Sequence, residues 1–339
     1  MNTLEDKIYG CLLGGLIGDA MGAPTEGKTF QQIRDQFGPS GVTDFEGVGT
    51  DDTAIREQLI DAIVKAELEP GGSGRVTCDE FAQSFRDHRA KNYRLWYIPV
   101  RNAFHKYDAG LRLPAYAGWD NMMSSSSAMV ISPMGIVNAC DPRRAVAETL
   151  DVASFIHHGA SGFCRDGACA MAAAVAACFE PGATVQSVVD ASISHLLPVS
   201  AAEMAECIRT AAALARDTDS YEDFRATFYE RHLRPSTIND SRETVPAALA
   251  LFALADGDPE RAIVMGANFG RDADTIATMV GGLAGAFAGA TGLPQRWVQK
   301  VEANPDVKYR DLVSKLAQVV RKRADRATAW TTTIGQLAS

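Results

Sequence analysis

Two segments of the sequence carry glycine at every fourth position, and this spacing limits the possible folds more than any other feature. The glycines are Gly14, Gly18 and Gly22 within residues 4–22, and Gly281, Gly285 and Gly289 within residues 276–289. Glycine inside a helix costs about 1 kcal/mol relative to alanine, so the rows require a compensating benefit. Residues four apart lie on one helix face, and a smooth glycine face lets another backbone approach closely. The rows therefore predict two tightly packed helices.

Most of the remaining chain also has helical patterns. Alanine is frequent, whereas runs of β-branched and aromatic residues are scarce, which favours helix over strand. Helices are predicted over residues 53–68, 78–90, 143–155, 167–179, 185–194, 201–215, 221–231, 245–255 and 259–268. We find no alternating strand pattern, no fixed repeat and no linker-like change of composition. The sequence therefore predicts an all-α, compact, single-domain helical fold.

Two segments differ from this background. Residues 91–127 are rich in Tyr, Trp, Gly, Pro and Ser and are predicted to be an irregular binding loop. Residues 306–339 are predicted to form a basic helix and tail, packed on the domain made by residues 1–305. The helix covers residues 308–326 and includes Arg321-Lys322-Arg323. A solvated helix face is the first interpretation of these charges, and a partner site is the alternative.

Charge and cysteine usage exclude several classes of protein. The net charge of -9 gives no bulk attraction to nucleic acid or to an anionic membrane. The seven cysteines are scattered and form no C-x-x-C pair, so we expect a reducing, cytoplasmic location rather than a disulfide framework. The N-terminus lacks the basic region of a signal peptide. Residues 276–293 are uncharged and long enough to span a bilayer, but their Gly and Ala content favours a buried helix.

Two acidic clusters occur where predicted helices begin. They are Gly49-Thr50-Asp51-Asp52-Thr53 and Gly270-Arg271-Asp272-Ala273-Asp274-Thr275. Either one alone is explained by helix capping, because Asp and Thr are favoured at helix starts. Two clusters of the same composition suggest more, since four converging carboxylates repel each other unless they are protonated or bridged by cations. Oxygen ligands of this kind suit Mg²⁺ or Mn²⁺. Whether the clusters converge is left open by the sequence.

A third acidic element follows the first glycine row. Glu26 stands two residues after Pro24, and proline favours an extended backbone in the residue before it. Glu26 is therefore expected on a loop at a helix end. It is a candidate catalytic carboxylate there, and an exposed surface glutamate is the alternative.

These motifs resemble the ADP-ribosylglycohydrolase family, which includes ADP-ribosylarginine and ADP-ribosylserine hydrolases. The resemblance runs from about residue 7 to about residue 300 and is carried, in order, by residues 14–26, 49–53 and 270–275. It implies an all-α fold with a binuclear centre of two Mg²⁺ ions, with Mn²⁺ as a possible substitute. The implied metal ligands are Thr50, Asp51, Asp52, Asp272, Asp274 and Thr275. Glu26 resembles the family glutamate near the metals and the reacting ribose.

The resemblance also implies a reaction. We expect cleavage of an N-glycosidic bond at ribose C1′ in an ADP-ribosylated substrate, through an oxocarbenium-like transition state. Metal ions lower the pKa of a bound water, and Asp272, Asp274 or Glu26 then accepts its proton. Which of the three carboxylates does so is left open.

Candidate substrate-binding residues lie in the middle of the chain. Residues 124–129 resemble the family's small-residue loop for phosphate or ribose, but Val130 stands where the family has Arg. His158 resembles a family histidine near the ligand, and aromatic residues of the segment 91–127 are candidates for stacking on a base, with loop packing as the alternative. The full candidate set is Ser125, Ser126, Ser127, Met129, His158, Trp119 and Asn121, with Trp96, Tyr97 and Tyr116 as further aromatic candidates.

Two alternative functions are kept. The first is hydrolysis of a nucleoside or another small N-riboside by the same metal site, which Val130 favours because it removes a cation from the expected pyrophosphate site. The second is a non-catalytic binding or crystallin-like protein, against which the presence of all six candidate ligands argues.

Overall fold

In a computed structural model, residues 1–338 are described, and they form α-helices joined by turns and short loops. The helices are α1 (Thr3–Gly22), α2 (Phe30–Phe37), α3 (Asp51–Leu68), α4 (Cys78–Asn92), α5 (Ile98–Asp108), α6 (Pro114–Ala117), α7 (Ser132–Val137), α8 (Pro142–Val152), α9 (Gly162–Ala177), α10 (Val185–Ser194), α11 (Ala202–Asp217), α12 (Tyr221–Arg231), α13 (Ser241–Leu254), α14 (Pro259–Ala267), α15 (Ala273–Ala288), α16 (Gln295–Glu302) and α17 (Tyr309–Leu337). Within residues 1–338, β-type pairing is limited to one bridge between Trp119 and His158. The predicted all-α, single-domain fold is confirmed.

The glycine rows bring α1 and α15 into backbone contact. A β-carbon placed on Gly14 would lie 2.1 Å from the carbonyl oxygen of Gly281, and one placed on Gly18 would lie 2.0 Å from that of Ala277. Only glycine leaves room for such an approach. Residues closer to the C-terminus of α1 contact residues closer to the N-terminus of α15. At the last of these contacts, a β-carbon on Gly22 would lie 2.4 Å from Cα of Asp274. The helices are therefore antiparallel, and the end of α1 meets the start of α15.

Helix α3 is joined to this pair by a buried arginine. The guanidinium of Arg56 donates to the carbonyl of Leu12 at 3.2 Å and to the hydroxyl of Tyr309 at 3.1 Å. It occupies the space above Gly15, where a β-carbon would lie 1.8 Å from Nη1 of the arginine. The first turn of α3 is thereby held beside the junction of α1 and α15.

The irregular segment predicted over residues 91–127 is wrong in part, because α5 and α6 lie within it. Pro99 occupies the first turn of α5, where its missing N–H costs nothing. Trp96 and Phe104 are buried, with ring centroids 5.1 Å apart. These core contacts, rather than local helical periodicity, order the segment. Trp96 is therefore a packing residue and not a ligand-stacking one.

Other helices differ from prediction in extent. The short helices α2, α7 and α16 were not predicted, since each is too short to show a clear 3.6-residue pattern. Helix α9 begins at Gly162, five residues before the prediction. Helix α13 begins at Ser241 because Asp240 caps it, and it continues through Pro246.

Helix α17 packs on the domain through its first half. It contacts α1, α3 and α7, and Val313, Leu316 and Arg323 are buried there. The division of the chain at residue 305 stays a prediction. No helix formed by residues 1–338 is long and apolar enough to cross a membrane, and α15 is buried along almost its whole length.

Candidate metal centre and active site

Carboxylates from three parts of the chain meet where α1 ends and where α3 and α15 begin. One oxygen each from Asp19, Asp52 and Asp274 lie within 4.8 Å of one another, and so do oxygens from Glu26, Asp272 and Asp274. The two triads share Asp274. The acidic clusters that are more than 200 residues apart in sequence are therefore neighbours in space.

The chemistry of this group fits hard divalent cations. Four carboxylate oxygens are buried and have no hydrogen-bond partner within residues 1–338: Oδ1 of Asp19, Oδ1 of Asp52, Oδ2 of Asp272 and Oδ1 of Asp274. Leaving a buried anion without a partner is costly. Mg²⁺ and Mn²⁺ prefer carboxylate oxygens, so ions held between these residues would offset both the burial and the mutual repulsion.

The electrostatics of the cluster agree with this interpretation. Burial, followed by the carboxylates of Asp19 and Asp274, raises the pKa of Asp52 well above its usual range. Burial, followed by Asp274, does the same to the pKa of Asp272. Burial, followed by Asp19, raises the pKa of Asp51 to about 7. A group of neighbouring carboxylates whose pKa values are all raised is typical of a functional site rather than of helix capping.

Asp19 is a member of the carboxylate group for which no role was predicted, although it lies in the motif of residues 14–26. Asp19 is fully buried in the last turn of α1. Its Oδ2 accepts hydrogen bonds from the backbone of Thr50 at 2.9 Å and of Thr53 at 3.0 Å, and from the Thr53 hydroxyl at 2.6 Å. The available signal was an aspartate in the otherwise uncharged residues 8–22 of the glycine-row helix, because aspartate is almost never fully buried without a partner.

Glu26 stands at the solvent side of the cluster. It follows a short 3₁₀ turn (Ala23–Thr25) and is exposed, yet it lines the same cavity as the buried aspartates. The segment after it pairs with the Asp272 loop: Gly27 N–H donates to the carbonyl of Arg271 at 2.7 Å, and Arg271 N–H donates to that of Lys28 at 2.7 Å. Burial, followed by Asp19, raises the pKa of Glu26.

The loop before α15 is held by Arg271, a positioning residue that sequence analysis missed. Its φ of 61° is unusual for a residue with a side chain. The guanidinium forms two 2.8 Å hydrogen bonds to the buried carboxylate of Glu243 and also donates to the carbonyls of Arg234 and Thr237. This bidentate pair compensates the strain and sets the position of the adjacent Asp272.

A cavity of about 180 Å³ opens over the cluster. Its lining residues are Glu26, Asp51, Asp52, Leu95, Tyr97, Ser125, Ser126, Met129, Ile238, Asn239, Asp272, Asp274 and Thr275. Five of them are carboxylates and none is Lys or Arg. Thr50 does not line the cavity; it caps α3 instead, with its hydroxyl accepting from Asp52 N–H at 3.4 Å. Three lining residues were not predicted to bind substrate or metal: Leu95, Ile238 and Asn239.

The predicted substrate-binding residues divide into two groups. Ser125, Ser126 and Met129 line the cavity, as does Tyr97. The others lie behind or beside it. Ser127 hydrogen-bonds His157 at 2.6 Å. The side chain of Asn121 donates to two backbone carbonyls, at 2.6 and 2.8 Å.

Trp119 and His158 belong to a separate surface cluster with Tyr116. The ring centroids of Trp119 and His158 lie 4.9 Å apart, and those of Tyr116 and His158 lie 5.8 Å apart. None of the three lines the cavity, and Trp119 is 45% exposed. The adjacent His157 is fully buried, and burial lowers its pKa to about 3. His157 therefore stays neutral and connects Ser124 with Ser127 behind the cavity wall.

Comparison with known proteins agrees with the site geometry. A family model described as ADP-ribosylglycohydrolase matches residues 1–328. The chain belongs to the ADP-ribosylglycohydrolase family. The resemblance inferred from the three motifs is thereby confirmed over almost the whole chain.

Relatives in this family are distant but collinear. The chain is 24% identical to ADP-ribosylhydrolase ARH3 of Bos taurus, covering 87% of this chain and 88% of that protein. It is 24% identical to ADP-ribosylarginine hydrolase Tri1 of Pseudomonas putida, covering 94% and 79%, and 26% identical to the uncharacterized YegU of Escherichia coli, covering 94% and 98%. A solved ADP-ribosylglycohydrolase-related protein complex superimposes with a TM-score of 0.67 at 19% identity, over 95% of this chain and 99% of that one.

Membership of the ADP-ribosylglycohydrolase family supports a glycohydrolase, and the family is metal-dependent. The acidic group at the α1–α15 junction is the place where this family member could bind a metal. The bond that is cleaved, the substrate and the identity of the ion stay predictions.

Proposed function

We propose that this chain is a divalent-metal-dependent hydrolase that cleaves the N-glycosidic bond between ribose C1′ and its substituent in an ADP-ribosylated substrate. The observation that carries the proposal is the pair of carboxylate triads that share Asp274, a residue that also lines the cavity. The name of the Pseudomonas putida relative, an ADP-ribosylarginine hydrolase, supports a nitrogen-linked substituent.

Asp19, Asp52 and Asp274 would hold one ion, and Glu26, Asp272 and Asp274 a second. Asp51, Thr50 and Thr275 complete the ligand set that the resemblance implies. When bound, Mg²⁺ or Mn²⁺ supplies a Lewis acid that orients ribose hydroxyls and lowers the pKa of water.

The carboxylates of the chain serve the transition state. Breaking the bond at C1′ places positive charge on the ribose ring, and the lining of the cavity puts no Lys or Arg beside that charge. Glu26 is exposed, whereas Asp51 is half-buried and the other three carboxylates of the lining are buried. A proton accepted there can pass to bulk water, which favours Glu26 over Asp272 and Asp274 as the group that accepts the proton of the attacking water.

The test measures ADP-ribose release from peptides modified at arginine and at serine. Protein stripped with EDTA should be inactive, and Mg²⁺ or Mn²⁺ should restore release from the arginine-linked peptide. Asp272→Asn should abolish release and metal uptake, whereas Asp35→Asn, an exposed change on α2, should preserve both. Release that persists in EDTA, or in Asp272→Asn, would overturn the proposal.

A second candidate is hydrolysis of a small, uncharged N-riboside. The specific observation in its favour is the lining of the cavity, which offers no Lys or Arg to a pyrophosphate. Val130, the residue in the place of the family Arg, is fully buried. Ribose release from a panel of nucleosides, in the absence of release from modified peptides, would select this candidate. Failure on both panels together with no metal uptake would favour a non-catalytic protein.

A further inference from the structure

Helix α17 continues well past the domain on which it is packed. It contains 29 residues and is about 44 Å long at 1.5 Å per residue. The last residue that binds the domain is Arg326, whose guanidinium donates to Glu67 and to the carbonyl of Gly74. Every residue from 327 to 338 is exposed. The large apolar side chains of the final three turns, Trp330, Ile334 and Leu337, are therefore open to solvent.

These turns carry an apolar stripe that continues the packed face of the same helix. The stripe consists of Val313, Leu316, Val320, Ala327, Trp330, Ile334 and Leu337, with the buried and ion-paired Arg323 at the position between Val320 and Ala327. With that position included, the spacing alternates between three and four, which is the heptad pattern of helices that pair with other helices. The first three members and Arg323 lie against the domain, but Trp330, Ile334 and Leu337 are 68%, 46% and 80% exposed. Half of one continuous packing face is unpartnered.

The polar groups in these turns are already satisfied or uncharged. The hydroxyls of Thr328, Thr331, Thr332 and Thr333 each donate to the carbonyl four residues earlier, at 2.9 to 3.0 Å. No Asp, Glu, Lys or Arg occurs in residues 327–338. Covering this surface therefore costs little desolvation. The three consecutive threonines and Gly335 have weak helix propensity, so the turns need packing to be stable.

We infer that the final turns of α17 pair with the same turns of a second copy of this chain, in antiparallel orientation. Centred near Thr332, the pairing places Trp330 opposite Ile334 of the second copy and Ala327 opposite Leu337. The carbonyl end of each helix, which carries partial negative charge, then approaches Arg326 of the other copy. Antiparallel pairing also keeps the two domains, each in a chain of net charge -9, at opposite ends of the helix pair.

The family match ends at residue 328, so the pairing surface lies almost entirely outside the region that this chain shares with its family. The surface is small. Three large apolar side chains from each copy bury less than the roughly 1,200 Å² of a standard stable interface. The dimer is therefore weak and concentration-dependent rather than obligate.

Sedimentation equilibrium of the full-length chain from low-micromolar to near-millimolar concentration tests the inference. The wild type should pass from monomer to dimer across this range. Ile334→Glu places a charge in the stripe and should raise the dissociation constant by more than about tenfold. Thr332→Glu adds the same charge on the opposite helix face and should leave the dimer in place. Circular dichroism and hydrolase activity should be unchanged in both variants.

Three results would overturn the inference. One is a wild type that stays monomeric at every concentration. Another is a dimer that Ile334→Glu weakens no more than Thr332→Glu does. The third is a monomer that binds phosphatidylcholine–phosphatidylserine vesicles through the same stripe, with binding lost in Ile334→Glu, which would assign the surface to a membrane.

Discussion

Asp19 accepts a 2.6 Å hydrogen bond from the hydroxyl of Thr53 through Oδ2, while its Oδ1 is buried without a partner. One oxygen thus ties the end of α1 to the first turn of α3, and the same carboxylate lies within 4.8 Å of those of Asp52 and Asp274. The same side chain joins the scaffold to the candidate metal centre.

Asp19→Asn should separate these two roles. The amide oxygen can still accept from Thr53, so we expect the free energy of unfolding to change by less than about 1 kcal/mol. Loss of the charge should weaken Mg²⁺ or Mn²⁺ binding by about tenfold or more. Calorimetric titration with each ion and urea unfolding measure the two effects. The exposed Asp35→Asn is the control, and unchanged ion affinity in Asp19→Asn would remove Asp19 from the site.

Asp274→Asn should have opposite effects on stability with and without metal. Burial, followed by the carboxylate of Glu26, raises the pKa of Asp274 well above its usual range. In EDTA at neutral pH, the variant should therefore be more stable than the wild type. With saturating Mn²⁺ the order should reverse, because only the wild type gains binding energy. Urea unfolding under both conditions measures this, and the same order in both would contradict a metal role.

Gly14→Ala should destabilise the fold although alanine is the better helix former. The new methyl group would lie 2.1 Å from the carbonyl oxygen of Gly281, so α1 and α15 must separate, at a cost of about 2–3 kcal/mol. Gly162→Ala is the matched control, since Gly162 is helical and has nothing within 4 Å of its β-carbon position. That control should be neutral or slightly stabilising. Equal urea midpoints for the two variants would argue against the glycine contact.

Arg323→Met should weaken the packing of α17 on the domain and so lower the free energy of unfolding. Arg323 donates to Glu67 at 2.8 Å and to Glu148 at 2.7 Å, and all three side chains are buried. Without this cation, Glu67 is still paired with Arg326 and Glu148 with Arg144, so we expect a loss of about 3 kcal/mol, at the lower end for a broken buried pair. Arg321→Met breaks an exposed 3.4 Å pair with Glu5 and should cost less than about 1 kcal/mol. Chemical unfolding compares them; similar losses would show that the buried network contributes little.

Asp166→Asn should stabilise the protein in a pH-dependent way. Asp166 is buried in α9, and burial raises its pKa from 3.8 to about 6. The folded state therefore binds this proton more tightly than the unfolded state, and stability decreases as pH rises from about 4 through about 6. Near pH 8 we expect the variant to be more stable by about 1–3 kcal/mol, with little difference near pH 4. A pH-independent difference would contradict this assignment.

Local sequence signals predicted two helices with their full bounds. Helices α10 and α12 begin and end where predicted, because Thr184 and Ser220 cap them through their own side chains. Helix α5 was not predicted, because core contacts order its aromatic residues and no local sequence pattern encodes those contacts. The two acidic motifs could also be identified from the sequence. Each is a short contiguous run at a helix start, as the capping residues are.

By itself, the sequence determined the helical class, the closely packed glycine faces and the two acidic helix starts, all of which depend on residues that are neighbours in the chain. Only the tertiary structure decided that these starts share one cavity, that Asp19 and Glu26 join them, and that Asn121, Ser127, Trp119 and His158 do not line it. The physical reason is that the antiparallel contact of α1 with α15 sets distances between segments about 250 residues apart, and backbone packing, rather than local propensity, sets those distances.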